Sequence, residues 1–279
     1  MKTVGEIFHL SVQYLDQKKI SRSKFLVQEI LCHFLKIDKI SLFMDFDKPL
    51  HEDELGVIRS GLAMLAQDKP FEQIIGKVSF FGCDIAVTSD VLIPRPETEI
   101  LMDIISKDLS DNISVAWDVC SGSGCIGISL KKKFPSLNVT ISDLCPKALS
   151  VAQANAQRNG VNVEAKLGDL LTPFYGQRAD LIICNPPYIS SSEYEALDRS
   201  VTEYEPRMAL VAGNRGDEFY QRLANELPAR LNPHGKVYFE IGFSQGKRLL
   251  ELFSAPIWKK KQLINDWSGH NRFFFLEIE

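Results

Sequence analysis

A short apolar run that stops dead limits this chain more than any other feature. Residues 179–188 read Ala-Asp-Leu-Ile-Ile-Cys-Asn-Pro-Pro-Tyr. The stretch 181–184 is apolar and rich in strand formers, with none of the alternation of a half-exposed strand. It predicts a strand buried on both faces, as in a parallel sheet. Pro186 and Pro187 have no N–H to give a ladder, so pairing ends at Asn185. The prolines also hold the backbone extended. A carboxamide, a free carbonyl and an aromatic ring are thereby fixed at the carboxyl end of a central strand, where open α/β sheets bind ligands.

That arrangement suits methyl transfer to a planar NH2 group. Such a nitrogen, on an amide or a nucleobase, is a poor nucleophile because its lone pair is delocalised. The Asn185 side-chain oxygen and the Pro186 carbonyl can accept its two hydrogens, and Tyr188 can stack on the flat group. Catalysis would come from orientation and electrostatics, with no strong base. A proline turn that merely closes a strand would look the same in isolation. Its position downstream of a glycine-rich turn favours the functional reading.

The chain has 279 residues, 45% of them hydrophobic, and a formal net charge of −4. It shows no global basic character that would advertise nucleic acid. Residues 1–19 are charged throughout and lack a signal-peptide core, and no apolar run is long enough to span a bilayer. The six cysteines show no Cys-x-x-Cys spacing, so small buried thiols in a reducing cytoplasm are expected, with no metal.

Residues 1–70 predict a small helical bundle, with Ser21 as the cap of its second helix. The bundle could be a structural appendage; a docking surface for a large substrate is the preferred reading. Residues 71–88 predict a β-hairpin linker. Residues 89–279 form the expected catalytic domain. Its segment 91–99, Val-Leu-Ile-Pro-Arg-Pro-Glu-Thr-Glu, is extended and leads into a helix. Arg95 and Thr98 there are either incidental to a capped helix or polar contacts of a lid over a cofactor.

From residue 113 strands and helices alternate, which predicts a parallel sheet. Residues 115–119 form the first strand and 139–142 the second. Residues 161–167, 181–184 and 235–241 follow, and 258–265 and 272–278 close the sheet as a hairpin. The first strand leads into Cys120-Ser121-Gly122-Ser123-Gly124, whose glycines let backbone approach a ligand at a helix N-terminus. Asp143, ending the second strand, can accept both hydroxyls of a ribose or can simply cap the next helix. Asp169 and Leu170 could meet an adenine or form a polar turn. The long segment 190–215 is loop-rich and of the kind that carries function. Lys131, Lys132 and Lys133 complement a helix end.

Together these motifs resemble the protein-(glutamine-N5) methyltransferases that modify peptide chain release factors. The resemblance rests on residues 93–99, the turn within 118–127, Asp143, residues 185–188, and Glu205-Pro206-Arg207 with Ala209-Leu210. It covers nearly the whole chain. Residues 93–99 are its most specific part, and with them the lid reading prevails. The resemblance implies a seven-stranded, Rossmann-like class I methyltransferase sheet. It implies S-adenosylmethionine as methyl donor, with Cys120, Ser121, Gly122, Ser123 and Gly124 around its amino-acid part and Asp143 at its ribose. Asp169 and Leu170 would lie near the adenine, and Asn185 beside the methyl. The acceptor would be the glutamine of the Gly-Gly-Gln loop of a class 1 release factor, met by Asn185, Pro186, Pro187, Tyr188 and Arg95. The enzyme would be cytoplasmic, would act as a monomer, and would bind neither nucleic acid stably nor membranes. Cys120 departs from the family, which has the first glycine of the turn there; a modest backbone change would accommodate so small a side chain. The alternatives are an adenine-N6 or guanine-N2 methyltransferase acting on nucleic acid, a nicotinamide-dependent oxidoreductase, and a non-catalytic binding module. The oxidoreductase leaves residues 185–188 unexplained, and intact Asn185 and Asp143 argue against the binding module.

Overall fold

A computed structural model describes residues 2–109 and 112–279 as two compact units. The first comprises Met1–Gly76 together with Arg199–Tyr204. Its helices are α1 (Val4–Gln17), α2 (Ser23–Leu35), α3 (Lys39–Met44), α4 (Glu52–Leu65) and α5 (Phe71–Ile75), with the single turn α10 (Arg199–Thr202). Their apolar stripes meet in one core that includes Leu15, Val27, Ile30, Leu31, Leu42 and Ile58. Thr3 and Glu6 close a capping box on α1, and Asp38 caps α3 through the Ser41 N–H at 2.8 Å. Ser21 does not cap α2. The cap position is Arg22, in the left-handed region and without a side-chain bond, and the Ser23 hydroxyl donates back to Asp16.

Two short strands, β1 (Lys77–Phe80) and β2 (Cys83–Ala86), pair as an antiparallel hairpin in the second unit. The expected hairpin linker over residues 71–88 is thus only partly strand. Residues 71–75 are helical because Pro70 precedes a run that suits a helix and Gly76, at φ +74°, ends it.

The second unit continues as α6 (Pro96–Asp108), β3 (Val115–Val119), α7 (Cys125–Lys133), β4 (Asn138–Asp143), α8 (Pro146–Arg158), β5 (Glu164–Leu167) and β6 (Ala179–Cys184). After β6 come β7 (Ile189–Ser190), α9 (Ser191–Tyr194), β8 (Val211–Gly213), α11 (Glu218–Glu226), β9 (Leu231–Glu240), α12 (Gly246–Leu252), β10 (Trp258–Asn265) and β11 (Asn271–Ile278). Seven strands form one sheet in the order β10-β11-β9-β6-β3-β4-β5. The five strands from β9 to β5 are parallel, and the β10–β11 hairpin closes the edge antiparallel. The chain runs from β3 outward to β5, then returns to place β6 on the other side of β3. That reversal opens a crevice at the carboxyl ends of β3 and β6, the place where such sheets take ligands.

Two apolar layers sandwich the sheet. One joins the hairpin, α6, α7 and α8 through residues such as Phe80, Leu101, Ile128 and Ala152. The other joins α11 and α12 through Tyr220, Leu223, Leu249 and Phe253, with Trp117 stacked on Phe174 at 4.0 Å. Both faces of β6 are buried, which is why its sequence carries no alternation.

Candidate active site

The crevice and the open solvent at its mouth together make about 950 Å³ of empty space, and its walls include Cys120, Ser121, Gly122, Ser123, Asp143, Asp169, Leu170 and Asn185. The glycine-turn, acidic and amide residues singled out in the sequence thus surround one cavity. Pro187 also lines it, whereas Pro186 and Tyr188 do not.

The turn after β3 is wound tightly. Cys120, Gly122 and Gly124 have φ of +59°, +54° and +77°. The Ser121 N–H reaches the Ser142 carbonyl at 2.9 Å, which ties the turn to β4. Gly124 and Gly127 are required by packing. A Cβ at Gly124 would stand 2.9 Å from Ala152, and one at Gly127 would stand 2.6 Å from Ile141. Gly122 differs, because a Cβ there meets no protein atom within 4 Å. What it would enter is the cavity.

Two carboxylates brace the glycine turn, Asp143 from the cavity wall and Asp118 from beneath it. Asp143 accepts the Gly122 N–H and the Cys145 N–H, each at 2.8 Å, on separate oxygens. It both steadies the chain at the head of α8 and braces the glycine turn, the Leu144 N–H adds a third backbone donor, and acceptor capacity remains. Burial pushes its pKa upward against these backbone bonds. Asp118 is fully buried, accepts the Gly127 N–H at 2.8 Å on Oδ2, and has no partner on Oδ1. Burial lifts it to about 7, with Asp143 adding to the rise. The Ser121 hydroxyl is likewise buried without a partner. Among the groups of the second turn, Asp169 already pairs with Arg222 at 2.7 Å, and Leu170 lies at φ +47°.

Residues 185–188 are clamped from behind. Gln245 donates to the carbonyls of Tyr188 and Gly216, both at 2.9 Å, and accepts the Gly242 N–H at 2.9 Å. Gly216 has no room for a side chain, since a Cβ would lie 2.6 Å from the Tyr188 carbonyl. The β7–β8 pair then holds the chain after Tyr188 against residues 211–213. The segment 190–215, expected to be loop-rich, therefore includes the short helical turns α9 and α10 and the short strand β8. Tyr188 is half-buried against the apolar layer of α11, and burial pushes its phenol upward.

The segment 91–99 is locked by a residue that spacing does not reveal. Glu205, 5% exposed, accepts the Ile93 N–H at 3.0 Å and pairs with the Arg95 guanidinium. Arg95 still borders the cavity, with one side of its guanidinium engaged. Thr98 borders it too, but its hydroxyl donates to Glu240 at 2.7 Å and so serves a buried carboxylate beside Asn185. Glu205 belongs to the Glu205-Pro206-Arg207 motif, although nothing in that motif points to residues 93 and 95, whereas Glu240 and Gln245 carry no motif of their own. The one available signal for Glu240 is a charged residue ending the apolar run of β9. The three lysines that end α7 are all engaged: Lys131 with the carbonyls of Pro135 and Leu137, Lys132 with that of Gly82, and Lys133 over the Phe81 ring.

Two family profiles match the chain: the PrmC N-terminal domain over residues 6–76 and the Methyltransferase small domain over residues 96–205. Release factor glutamine methyltransferase from Enterococcus faecalis is 39% identical, covering 86% of this chain and 87% of that protein. The enzymes of that name from Geobacter sulfurreducens and Bacillus subtilis are 36% and 35% identical. They cover 90% and 98% of this chain, and 88% and 96% of their own lengths. Solved structures share the fold: a methyltransferase from Pyrococcus furiosus has a TM-score of 0.53 at 18% identity, covering 81% of this chain and 98% of that one. The 16S rRNA N2 G1207 methyltransferase of Thermus thermophilus has a TM-score of 0.52 at 16% identity, covering 73% and 50%. The relatives matched over nearly their whole length agree with the site's architecture, and the chain belongs to the release factor glutamine methyltransferase family.

Proposed function

We propose that the protein methylates the side-chain amide nitrogen of the Gly-Gly-Gln glutamine of class 1 release factors, in the cytoplasm, with S-adenosylmethionine as donor. The observation that carries this reading is that Asn185 and the open-faced Gly122 border one cavity. The residues fit the donor. Gly122 leaves room for close backbone approach, Asp143 keeps acceptor capacity for a diol, and Asp118 and Ser121 hold unpartnered oxygens. When bound, S-adenosylmethionine supplies a methyl group activated by a sulfonium charge. Asn185 accepts one hydrogen of the substrate amide and the Pro186 carbonyl accepts the other. The nitrogen is thereby held against rotation, and it loses its proton to solvent after transfer. Stiff backbone at Pro186 and Pro187 and the Gln245 clamp keep this cradle preorganised. Arg95 and Tyr188 are assigned to the substrate side, Asp169 and Leu170 to the adenine, and the helical residues 1–70 to docking the release factor.

The test is incubation with labelled donor and a release factor, followed by peptide mass mapping. Label is expected on the Gly-Gly-Gln glutamine; label found only on RNA overturns the reading. Asn185→Ala is expected to lower the transfer rate roughly 10²-fold, the scale of losing one preorganised group. Donor affinity measured by equilibrium titration should change by less than about threefold, a small fraction of that effect.

A further inference from the structure

Glu240 is a carboxylate placed where one is costly. It ends β9, is 2% exposed, and the hydroxyl that donates to its side chain is neutral. That hydroxyl is Thr98's, itself 3% exposed, at 2.7 Å. The sheet sets the Asn185 side-chain amide beside the same carboxylate. β6 and β9 are parallel neighbours, with Cys184 opposite Phe239, so the next residues along both strands, Asn185 and Glu240, stand side by side. Strands in a sheet lie about 4.8 Å apart, and residues in parallel register face the same way. The Tyr220 hydroxyl, donating to the Glu240 carbonyl at 2.7 Å, holds the strand end in place.

A carboxamide can turn over and exchange its oxygen for its NH2 group with almost no change of shape. Only an oxygen directed at the acceptor amide can receive a hydrogen from it. An ionised carboxylate accepts and never donates, so beside Asn185 it tolerates only the NH2 end. We propose that Glu240 is a positioning residue: anchored by Thr98, its carboxylate takes the Asn185 N–H and so turns the Asn185 oxygen toward the acceptor nitrogen. This rests on the methyl-transfer reading above and adds the device that sets its geometry. It also gives a purpose to Thr98, which lies within the most specific motif of the chain, because the hydrogen it donates favours the charged form of Glu240.

The device is sensitive to pH. Burial lifts Glu240 to about 6, opposed by the Thr98 and Asn185 bonds and by Arg272, while Glu97 adds to the rise. The titratable groups that face it are Glu97 on α6, Arg272 on β11, Tyr188 after β6, Tyr220 on α11 and Cys125 on α7. Tyr188, Tyr220 and Cys125 are all pushed upward by burial and stay neutral across the range that matters. Above about 6 the carboxylate is charged and the Asn185 oxygen is directed; below it, a protonated Glu240 can donate, and the amide is free to turn. Turnover at saturating donor therefore has an acid limb near 6. Asp118 and Asp143 act through the glycine turn, so their protonation registers in donor affinity instead.

Glu240→Gln tests this, because glutamine keeps the shape and can either donate or accept. The expected result is a fall in kcat of about 10²-fold, the scale of misplacing a reacting group by about 1 Å. Donor Kd should stay within about threefold, and the acid limb should vanish. Thr98→Val should move the limb up by roughly one pH unit, and Thr98→Ser should restore it. A readout free of any acceptor is the side-chain 15N resonance pair of Asn185, identified by its loss in Asn185→Ala. It should titrate near pH 6 in the wild-type protein and stay flat in Glu240→Gln. Wild-type kcat in Glu240→Gln, or an Asn185 resonance that ignores pH between 5 and 7, overturns the proposal. Should Glu240→Gln not fold, an acid limb unmoved by Thr98→Val overturns it. Should the wild-type protein modify no release factor, the methyl-transfer reading fails, and the resonance alone decides the role of Glu240.

Discussion

At single positions, the site separates what packing demands from what a ligand demands. Gly124 and Gly127 are small because neighbouring side chains leave no room. Gly122 is small although nothing in the protein crowds it, and that contrast is what a spacing pattern such as Gly-x-Gly cannot express. Gly122→Ala should therefore split two measurements. Stability should fall by about 1 kcal/mol, the cost of a left-handed alanine at φ +54°. Donor affinity should fall about tenfold or more, because the methyl enters the cavity where backbone must meet the ligand. Thermal unfolding and equilibrium titration check the two halves, and equal small changes in both would count against the cradle. Cys120 shows the opposite arrangement. It holds a left-handed φ of +59° with a side chain present, so the side chain carries the strain. Cysteine is small enough to bear it, and the thiol packs against the apolar layer of α11 and α12.

Elements are legible where their hydrophobic period is sustained. Each of the seven strands of the main sheet is visible in sequence, because β6 carries a continuous apolar run, its neighbours β3 and β9 carry short ones, and β11 closes the sheet with Phe273, Phe274 and Phe275. What sequence conceals is polar tethering between elements far apart in the chain. Glu205 reaches residues 93 and 95 across more than a hundred positions, and Gln245 reaches Tyr188, with no periodicity to announce either. Ser21 and residues 71–75 depart from expectation for a local reason: a cap or a single helical turn is decided by two or three bonds, below the resolution of any pattern. The hairpin illustrates such a tether. β2 has no strand beyond it, and α8 substitutes for one. The buried Asn155 accepts the Ala86 N–H at 2.8 Å and donates to the Ala86 and Ser123 carbonyls at 3.0 Å, and Asn159 does the same for both groups of Asp84. Asn155→Ala removes the side-chain partner of three backbone groups, two of them part-buried at Ala86 and one buried in the glycine turn. It should cost about 2–4 kcal/mol. Tm should fall by roughly 5–10 °C, and amide exchange at Ala86 should speed up with it.

At the scale of the whole molecule, the chemistry resides in one unit and leaves the other without a catalytic role. The crevice is built from the second unit alone, yet the first keeps its own core and spends apolar surface on solvent. On α3, Ile40 and Met44 are 74% and 80% exposed and stand one helical turn apart, with Phe43 half exposed between them. Phe43 in turn packs on Phe8 and Phe46 with ring centroids 6.1 and 5.2 Å apart, so the exposed apolar face of α3 is anchored on the core of this unit. Isolated exposed apolar residues need no explanation, but a contiguous patch marks a surface that meets something. For an enzyme whose acceptor is a glutamine in a large protein, binding remote from the reacting group is a means of raising the local concentration of an otherwise ordinary amide. If α3 is that surface, Ile40→Glu combined with Met44→Glu should raise KM for an intact release factor by about tenfold, the cost of losing one or two apolar contacts. The kcat for the release factor and the donor Kd should hold. A short Gly-Gly-Gln peptide, which has no surface to dock, should be methylated by the variant as poorly as by the wild-type protein. The exchange leaves the fold alone, because neither side chain is buried, and thermal unfolding checks that directly. An unchanged KM for the release factor would assign α3 no part in docking, while a matching loss on the short peptide would show that the substitutions had disturbed the catalytic unit.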